Sequence, residues 1–96
     1  MASLNSVYKK SPDFVFRKIG DECILVPIRD NVGDLNNIYT LDEVASRIWG
    51  LINGKRKVKD IKDNIVEEFE ITPKEAEKDI IELLQKLKKI KGITIK

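Results

Sequence analysis

The sequence predicts an α+β domain, in which a three-stranded antiparallel sheet is followed by three helices. Aromatic and β-branched runs fill the first half of the chain, whereas apolar residues at helical spacing fill the second half. Strands and helices segregated in this way are typical of α+β domains. The 96 residues suffice for one small domain. We expect a flexible N-terminal tail over the polar residues 1–12 and a single domain over residues 13–96.

Three segments have the composition of β-strands, namely residues 14–19, 22–28 and 37–39. Gly20-Asp21 separates the first two segments and is typical of a two-residue hairpin turn that begins with glycine. The second segment is almost continuously apolar, which predicts a central strand. Pro27 should lie near the end of that strand, because proline cannot donate a hydrogen bond to a sheet. The polar residues 29–36 predict a loop.

Capping signals mark the first helix, and apolar spacing marks the second. Thr40 followed by Glu43 matches a capping box and predicts that the first helix begins at this point. Asn53-Gly54 predicts the end of that helix. The second helix is expected over about residues 58–68, where apolar residues recur every three or four positions.

The third helix has the strongest local signal in the chain. Thr72 is the predicted N-cap, Pro73 suits the first helical position and Glu75 completes the capping box. Gly92 predicts the end of this helix, after about residue 91. Residues 93–95 are expected to form a short extended tail.

Composition excludes several classes of protein. There are 18 Lys and Arg against 16 Asp and Glu, and the resulting net charge of +2 is weak for a dedicated nucleic-acid binder. The chain has no histidine, a single cysteine and no glycine-rich phosphate-binding motif, which removes the commonest catalytic and zinc-binding arrangements. No apolar run is long enough to cross a membrane. We therefore expect a cytoplasmic protein that is not an enzyme and that uses no cofactor or metal.

The third predicted strand is a candidate docking edge. In a sheet of three consecutive strands, the first and third strands are both edges. Asn37, Ile38 and Tyr39 include no charge, proline or glycine, the features that usually protect such an edge. Either a loop or the tail covers this strand, or the strand accepts an extended peptide through its main-chain hydrogen bonds.

The third predicted helix offers a second candidate surface. Its apolar stripe must face the core and consists of Ala76, Ile80, Leu83, Leu84, Leu87 and Ile90. Ile81 lies off this stripe, on a flank that it shares with Gln85 and Lys88, and Lys78 lies beyond that flank. Ile81 either widens the buried stripe or lines a groove that is edged by lysines.

Several of these segments resemble the PqqD-like family. The matching residues are 14–22 with 24–28, Ile38-Tyr39-Thr40-Leu41 leading into 44–49, Asn53-Gly54-Lys55-Arg56, and positions within 61–69 and 76–79. The resemblance covers about residues 12–93. Its most specific part is the block of Tyr39, Leu41, Ile48 and Trp49 that precedes Asn53-Gly54.

The resemblance implies a winged helix-turn-helix-like domain that recognises precursor peptides. Such proteins bind the leader segment of a ribosomally synthesised peptide and present it to a modifying enzyme, often a radical S-adenosylmethionine enzyme. The leader adds as a strand to the third β-strand and packs against the third helix. At the matching positions of this chain, the expected peptide-binding residues are Asn37, Ile38, Tyr39, Lys78, Ile81, Gln85 and Lys88. The lysines suggest a leader with acidic side chains.

Two alternatives stay open at this point. A winged-helix regulator that binds DNA is one, although acidic residues on the third helix would repel phosphates. An assembly module that dimerises through its apolar second strand is the other. The sequence is consistent with either a monomer or a homodimer.

Overall fold

The protein is described here by a computed structural model over residues 4–20, 22–28 and 38–96. Its elements are β1 (Tyr8–Lys10), β2 (Phe14–Ile19), β3 (Glu22–Pro27), β4 (Tyr39–Leu41), α1 (Glu43–Leu51), α2 (Val58–Phe69), α3 (Pro73–Lys89) and β5 (Ile93–Ile95). Strands β2, β3 and β4 form an antiparallel sheet, and β1 pairs with β5 in a separate two-stranded sheet. The predicted α+β class, with a three-stranded antiparallel sheet followed by three helices, is confirmed.

The three-stranded sheet has the order β2-β3-β4, so the apolar β3 is central, as predicted. Gly20 has a φ of 61°, the left-handed value that glycine adopts readily at the first position of a tight hairpin turn. Pro27 is the last residue of β3 and lies opposite Phe14 at the end of the ladder. The third strand begins later than predicted, at Tyr39, and Ile38 precedes it. The predicted strand residue Asn37 and the predicted loop over residues 29–36 lie outside the described residues.

Helix α1 begins later than the sequence predicts. Strand β4 continues to Leu41, whose buried side chain keeps the chain extended, so Thr40 belongs to the sheet and cannot cap the helix. Asp42 is the N-cap instead, and its carboxylate accepts a 2.8 Å hydrogen bond from the backbone N–H of Ala45. The predicted capping box of Thr40 and Glu43 is therefore wrong.

Helices α2 and α3 follow the prediction closely at their starts. Helix α2 runs one residue further than predicted, to Phe69. Helix α3 begins at Pro73, and the hydroxyl of Thr72 accepts a 3.2 Å hydrogen bond from the backbone N–H of Glu75. The predicted N-cap of α3 is confirmed.

The ends of α1 and α3 depart from the predicted stop signals in detail. Helix α1 ends at Leu51, and Gly54 takes a left-handed φ of 77° in the turn that follows. Helix α3 ends at Lys89 rather than at about residue 91. Lys91, not Gly92, adopts the left-handed conformation after it, with a φ of 63°. The glycine stop signal is thus displaced by one residue.

The core lies between the three helices and one face of the sheet. Its most deeply buried side chains are Leu25, Ile48, Ile52, Val58, Ile61, Ile65, Ile80, Leu84 and Leu87. Because alternate residues of a strand face opposite sides, the fully buried Leu25 identifies the sheet face that packs on the helices. Tyr39 and Leu41, which pair with Leu25 and Cys23, lie on that same face.

The predicted flexible tail over residues 1–12 is wrong for Tyr8–Lys10, which form β1. This strand pairs with β5, so the predicted extended tail at residues 93–95 is also part of a sheet. The Tyr8 side chain is only 3% exposed and belongs to the core. The sequence did not predict this strand because the segment is mostly polar. Tyr8 is the buried residue of β1, and the other two side chains of the strand are exposed.

The segment that contains β1 also satisfies backbone donors at the start of α2. The N–H groups of Val58 and Lys59 donate to the carbonyl oxygens of Ser6 and Leu4, each at 2.9 Å. The first N–H groups of a helix have no partner within the helix, so these bonds stabilise its beginning. The N-terminal segment is therefore part of the folded domain from Leu4 onwards.

The amino group of Lys10 lies 5.3 Å from the centre of the Trp49 ring, a cation–π distance. Burial lowers the pKa of Lys10, since desolvation disfavours the charged amine. The folded state therefore holds this proton less tightly than the unfolded chain does. As a result, this amine contributes a small increase in stability as the pH rises through its titration range.

Candidate functional site

Strand β4 is an edge of its sheet, because no other described strand pairs with its outer side. The orientation of its backbone groups follows from the adjoining ladder. The N–H of Ile28 donates to the C=O of Asp13 at 2.9 Å, which fixes the alternation of hydrogen-bonded pairs between β2 and β3. By that alternation, the backbone N–H and C=O of Ile24 point toward β2, whereas those of Cys23 and Leu25 point toward β4.

The same alternation leaves the backbone N–H and C=O of Thr40 facing outward. Tyr39 and Leu41 pair with Leu25 and Cys23, so their backbone groups are used inside the sheet. Thr40 lies between them, and its N–H and C=O point away from β3 toward the open edge. Such main-chain groups are the ones that an added strand uses.

A groove of about 820 Å³ opens beside this edge, between β4 and the C-terminal half of α3. It is lined by Phe14, Pro27, Ile38, Tyr39, Thr40, Leu41, Asp42, Ala45, Leu83, Lys86, Leu87, Lys89 and Ile90. Most of these side chains are apolar. A strand added to β4 would therefore turn alternate side chains into an apolar groove.

Charged side chains of both signs lie around the groove. Lys86 and Lys89 line it together with Asp42. Asp79 and Glu82 line an adjoining cavity of about 160 Å³, which shares Asp42 and Lys86 with the groove. Within the described part of the chain, none of these four α3 side chains forms an ion pair.

The predicted strand residues of the site have three different outcomes. Ile38 lines the groove and is 47% exposed, although it lies just before β4 rather than in it. Tyr39 lines the groove from the first position of β4. Asn37 lies outside the described residues. The structure thus brings Ile38 and Tyr39 together at the groove.

The predicted helix residues do not form the wall that faces β4. Lys78, Ile81 and Lys88 are absent from the groove lining, and Ile81 is half-buried on the opposite flank of α3. Gln85 lines a shallow depression on the outer surface, next to Lys86 and Lys89. These four residues therefore do not lie together with β4 around the groove.

The helix residues that do face the groove are Leu83, Lys86, Leu87, Lys89 and Ile90. Periodicity placed Leu83, Leu87 and Ile90 on the apolar stripe, but it could not say which flank of the stripe meets the sheet. That choice depends on how α3 crosses β4, which is a tertiary property. Lys86 had no signal of its own in the sequence.

Other chemistry-bearing features lie apart from the groove. Cys23 is a half-buried free thiol beside a different cavity, near Arg47 and Glu68. No group of three or more potential metal ligands occurs among the described residues. No helix within the described ranges is long and apolar enough to span a membrane.

Comparison with known proteins adds to this geometry. The family model of coenzyme PQQ synthesis protein D (PqqD) matches residues 22–91, which is more than half of the chain. This chain belongs to the PqqD family. The match includes β4, α1 and the whole of α3, so every residue of the groove lining except Phe14 lies within the matched range. No curated protein matches the chain.

A solved structure is also similar to this chain. It is TbiB1 in complex with the TbiA(beta) leader peptide. The TM-score is 0.71 at 27% sequence identity, and the match covers 88% of this chain and 93% of the TbiB1 chain. Most of this chain therefore has the fold of that protein.

Proposed function

We propose that this chain is a non-catalytic recognition protein that binds the leader segment of a ribosomally synthesised precursor peptide and presents it to a modifying enzyme. The observation that carries this proposal is the outward-facing backbone of Thr40 beside the apolar groove. Family membership supports it, as does the similarity to TbiB1, which was solved with a leader peptide.

The leader adds as a strand to β4. Its main chain bonds to the N–H and C=O of Thr40, and these bonds supply affinity without depending on the leader sequence. Leader residues opposite Tyr39 and Leu41 place their side chains on the groove face of the extended sheet, because strand partners share a face. Apolar residues two positions apart therefore provide specificity.

The affinity expected from this arrangement is on the order of micromolar, about −8 kcal/mol. A short strand forms few hydrogen bonds, each with a net contribution of about 1 kcal/mol. Burial of two apolar side chains contributes about 1.5–3 kcal/mol each. Ordering of the free leader offsets part of this gain. A complex of this strength allows the leader to be released after modification.

The partner that receives the leader is proposed to be a radical S-adenosylmethionine enzyme, in the cytoplasm. The recognition protein itself supplies no catalytic group, cofactor or metal in this scheme. A winged-helix regulator that binds DNA receives no support from the family or from the similar structure. Co-elution of this chain with a candidate radical S-adenosylmethionine enzyme, in the presence of the leader, tests the partnership.

A titration of isotope-labelled protein tests the binding itself. The probe is a synthetic leader from the short precursor gene nearest to the gene of this chain, and its scrambled version is the control. We expect amide shifts concentrated at residues 38–42 and 83–90, with Thr40 becoming protected from hydrogen exchange. Shifts spread evenly over the molecule, or an equal response to the scrambled peptide, would contradict strand addition at β4.

Two matched substitutions decide which flank of α3 the leader contacts. Ile90→Asp places a charge in the groove and should weaken leader binding about tenfold or more, because the carboxylate loses hydration in the complex. Ile81→Asp makes the same change on the opposite flank, at a residue that the sequence analysis expected to bind the leader. The groove geometry predicts less than a twofold effect there. Titration calorimetry measures the two affinities. A larger loss of leader affinity for Ile81→Asp than for Ile90→Asp would show that the leader contacts the Ile81 flank, as the sequence analysis expected.

A further inference from the structure

A basic surface lies apart from the groove, where three segments of the chain meet at Gly54. The N–H of Gly54 donates to the C=O of Tyr8 at 3.0 Å, and its C=O accepts a 2.9 Å hydrogen bond from the amino group of Lys96. The three segments are residues 4–12, 52–59 and 93–96, and they contain seven of the 18 Lys and Arg residues but no Asp or Glu. Positive charge is therefore concentrated in this part of a chain whose net charge is only +2.

Three of these lysines share the outward face of the sheet of β1 and β5. Tyr8 points into the core, so Val7 and Lys9 point the other way, because side chains alternate along a strand. The N–H of Lys96 donates to the C=O of Val7 at 2.8 Å, and Val7 also forms a β-bridge with Lys57. Residues paired in this way have their side chains on the same face. Lys9, Lys57 and Lys96 therefore surround Val7 on one exposed face.

A fourth lysine joins this face at an open cavity of about 710 Å³. Its lining includes Lys55 and Lys96 together with Val7 and the 60% exposed Ile95. Within the ranges that the structure describes, none of the four lysines forms an ion pair. The carboxylate of Asp60, the next acidic residue along the chain, accepts a 3.1 Å hydrogen bond from the backbone N–H of Lys57. We call the surface of Lys9, Lys55, Lys57 and Lys96 the basic face.

We propose that the basic face docks an acidic surface of the enzyme that receives the leader. This proposal rests on the proposed function and names a second contact of that partnership. Opposite charges on two surfaces accelerate association and align the partners. Val7 and Ile95 form an apolar centre with lysines around it, which is the usual anatomy of an interface between proteins. An acidic protein surface therefore fits this face better than a nucleic acid does.

The basic face stays accessible while the leader occupies the groove. No residue lines both the groove and the cavity of the basic face. Strands β1 and β5 also lie outside residues 22–91, the range that matches the family model. When the enzyme contacts both the leader and the basic face, the two weak contacts act together, because one raises the effective concentration for the other.

An acidic peptide tests the charge preference of the basic face. The probe is Ser-Glu-Glu-Ser-Asp-Glu-Ser-Glu-Asp-Ser, and the control peptide has Gln and Asn in place of Glu and Asp. With labelled protein at low salt, we expect amide shifts at residues 7–9, 54–57 and 94–96 that exceed those at residues 86–91, where lysines lie near acidic side chains. The shifts should disappear at 1 M NaCl, because salt screens exposed charges. Shifts centred on residues 86–91, no shifts at millimolar peptide, or an equal response to the control would overturn the proposal.

Charge-reversal variants identify the residues responsible. Lys9→Glu with Lys55→Glu should weaken binding of the acidic peptide about tenfold. The matched control is Lys18→Glu with Lys74→Glu, which makes the same change of net charge at exposed positions of β2 and α3 and should change this affinity less than twofold. Equal losses for the two double variants would show that net charge alone is responsible and would refute a docking surface.

The same variants connect the basic face to the enzyme. Both double variants should bind the leader with unchanged affinity, because neither changes a residue of the groove lining. With the leader present, only Lys9→Glu with Lys55→Glu should lose co-elution with the candidate radical S-adenosylmethionine enzyme. Undiminished co-elution of that variant would contradict docking at the basic face.

The outcomes separate this proposal from the proposed function. If the leader shifts residues 38–42 and the acidic peptide leaves the basic face unchanged, leader recognition holds and the docking surface is refuted. If the acidic peptide shifts the basic face and the leader shifts no residue, the preference for an acidic partner holds and leader recognition fails. A generic DNA duplex that binds the basic face more tightly than the acidic peptide, with a steep salt dependence, would overturn the proposal and assign the face to nucleic acid.

Discussion

Replacing Thr40 with proline should abolish most leader binding while leaving the domain folded. The ring removes the outward N–H and occupies the space where an added strand would lie. The N–H that is lost is not used in the ladder with β3, and proline is tolerated on an edge strand when its nitrogen faces outward. We expect a loss of about 2 kcal/mol in binding free energy, or roughly 30-fold in Kd, measured by titration calorimetry.

The matched control for this change lies on the other edge of the same sheet. Lys18 belongs to β2, and the alternation that turns Arg17 toward β3 turns the N–H of Lys18 outward. Lys18→Pro therefore makes the same backbone change away from the groove and should alter the leader affinity by less than twofold. Equal losses for the two variants, or unchanged binding by Thr40→Pro, would show that the leader does not pair with β4.

The position of the proposed binding edge could be predicted from the sequence, whereas the residues of α3 that face it could be predicted only in part. A third strand without charge, proline or glycine indicated an exposed pairing edge, and two of its residues, Ile38 and Tyr39, line the groove. Helical periodicity located the buried stripe of α3 correctly, apart from Ile90, which is only partly buried. The flank carrying Ile81 and the flank carrying Lys86 are equivalent in a periodic pattern, and only the packing of α3 across β4 distinguishes them.

The capping signals predicted the start of α3 better than the start of α1, and here too a tertiary contact makes the difference. Thr72 has no competing role, so its hydroxyl is available to cap α3. Thr40 satisfied the same sequence rule, but the burial of Leu41 extends the strand and moves the cap to Asp42. A tertiary contact therefore overrode a local signal by two residues. This shift also places Thr40 in the strand, where its backbone faces the groove.

The second large effect concerns stability and arises in the ribbon, the name used here for the two-stranded sheet of β1 and β5. Tyr8→Ala should lower the free energy of unfolding by about 3 kcal/mol, because a large buried aromatic side chain is removed from the core. The strand it anchors bonds to Gly54 through the Tyr8 carbonyl, at 3.0 Å, and to β5. Urea unfolding followed by the fluorescence of Trp49 measures the change.

Lys9→Ala is the control for Tyr8→Ala, since Lys9 is its exposed neighbour in β1 and should change stability by less than about 0.5 kcal/mol. A loss below about 1 kcal/mol for Tyr8→Ala would show that the ribbon is only loosely attached. The ribbon contributes no residue to the lining of the groove, so the folded fraction of Tyr8→Ala should bind the leader with unchanged affinity. Such a result would separate stability from recognition. The ribbon, which lies outside the matched family range, would then stabilise the domain, and β4 with α3 would select the peptide.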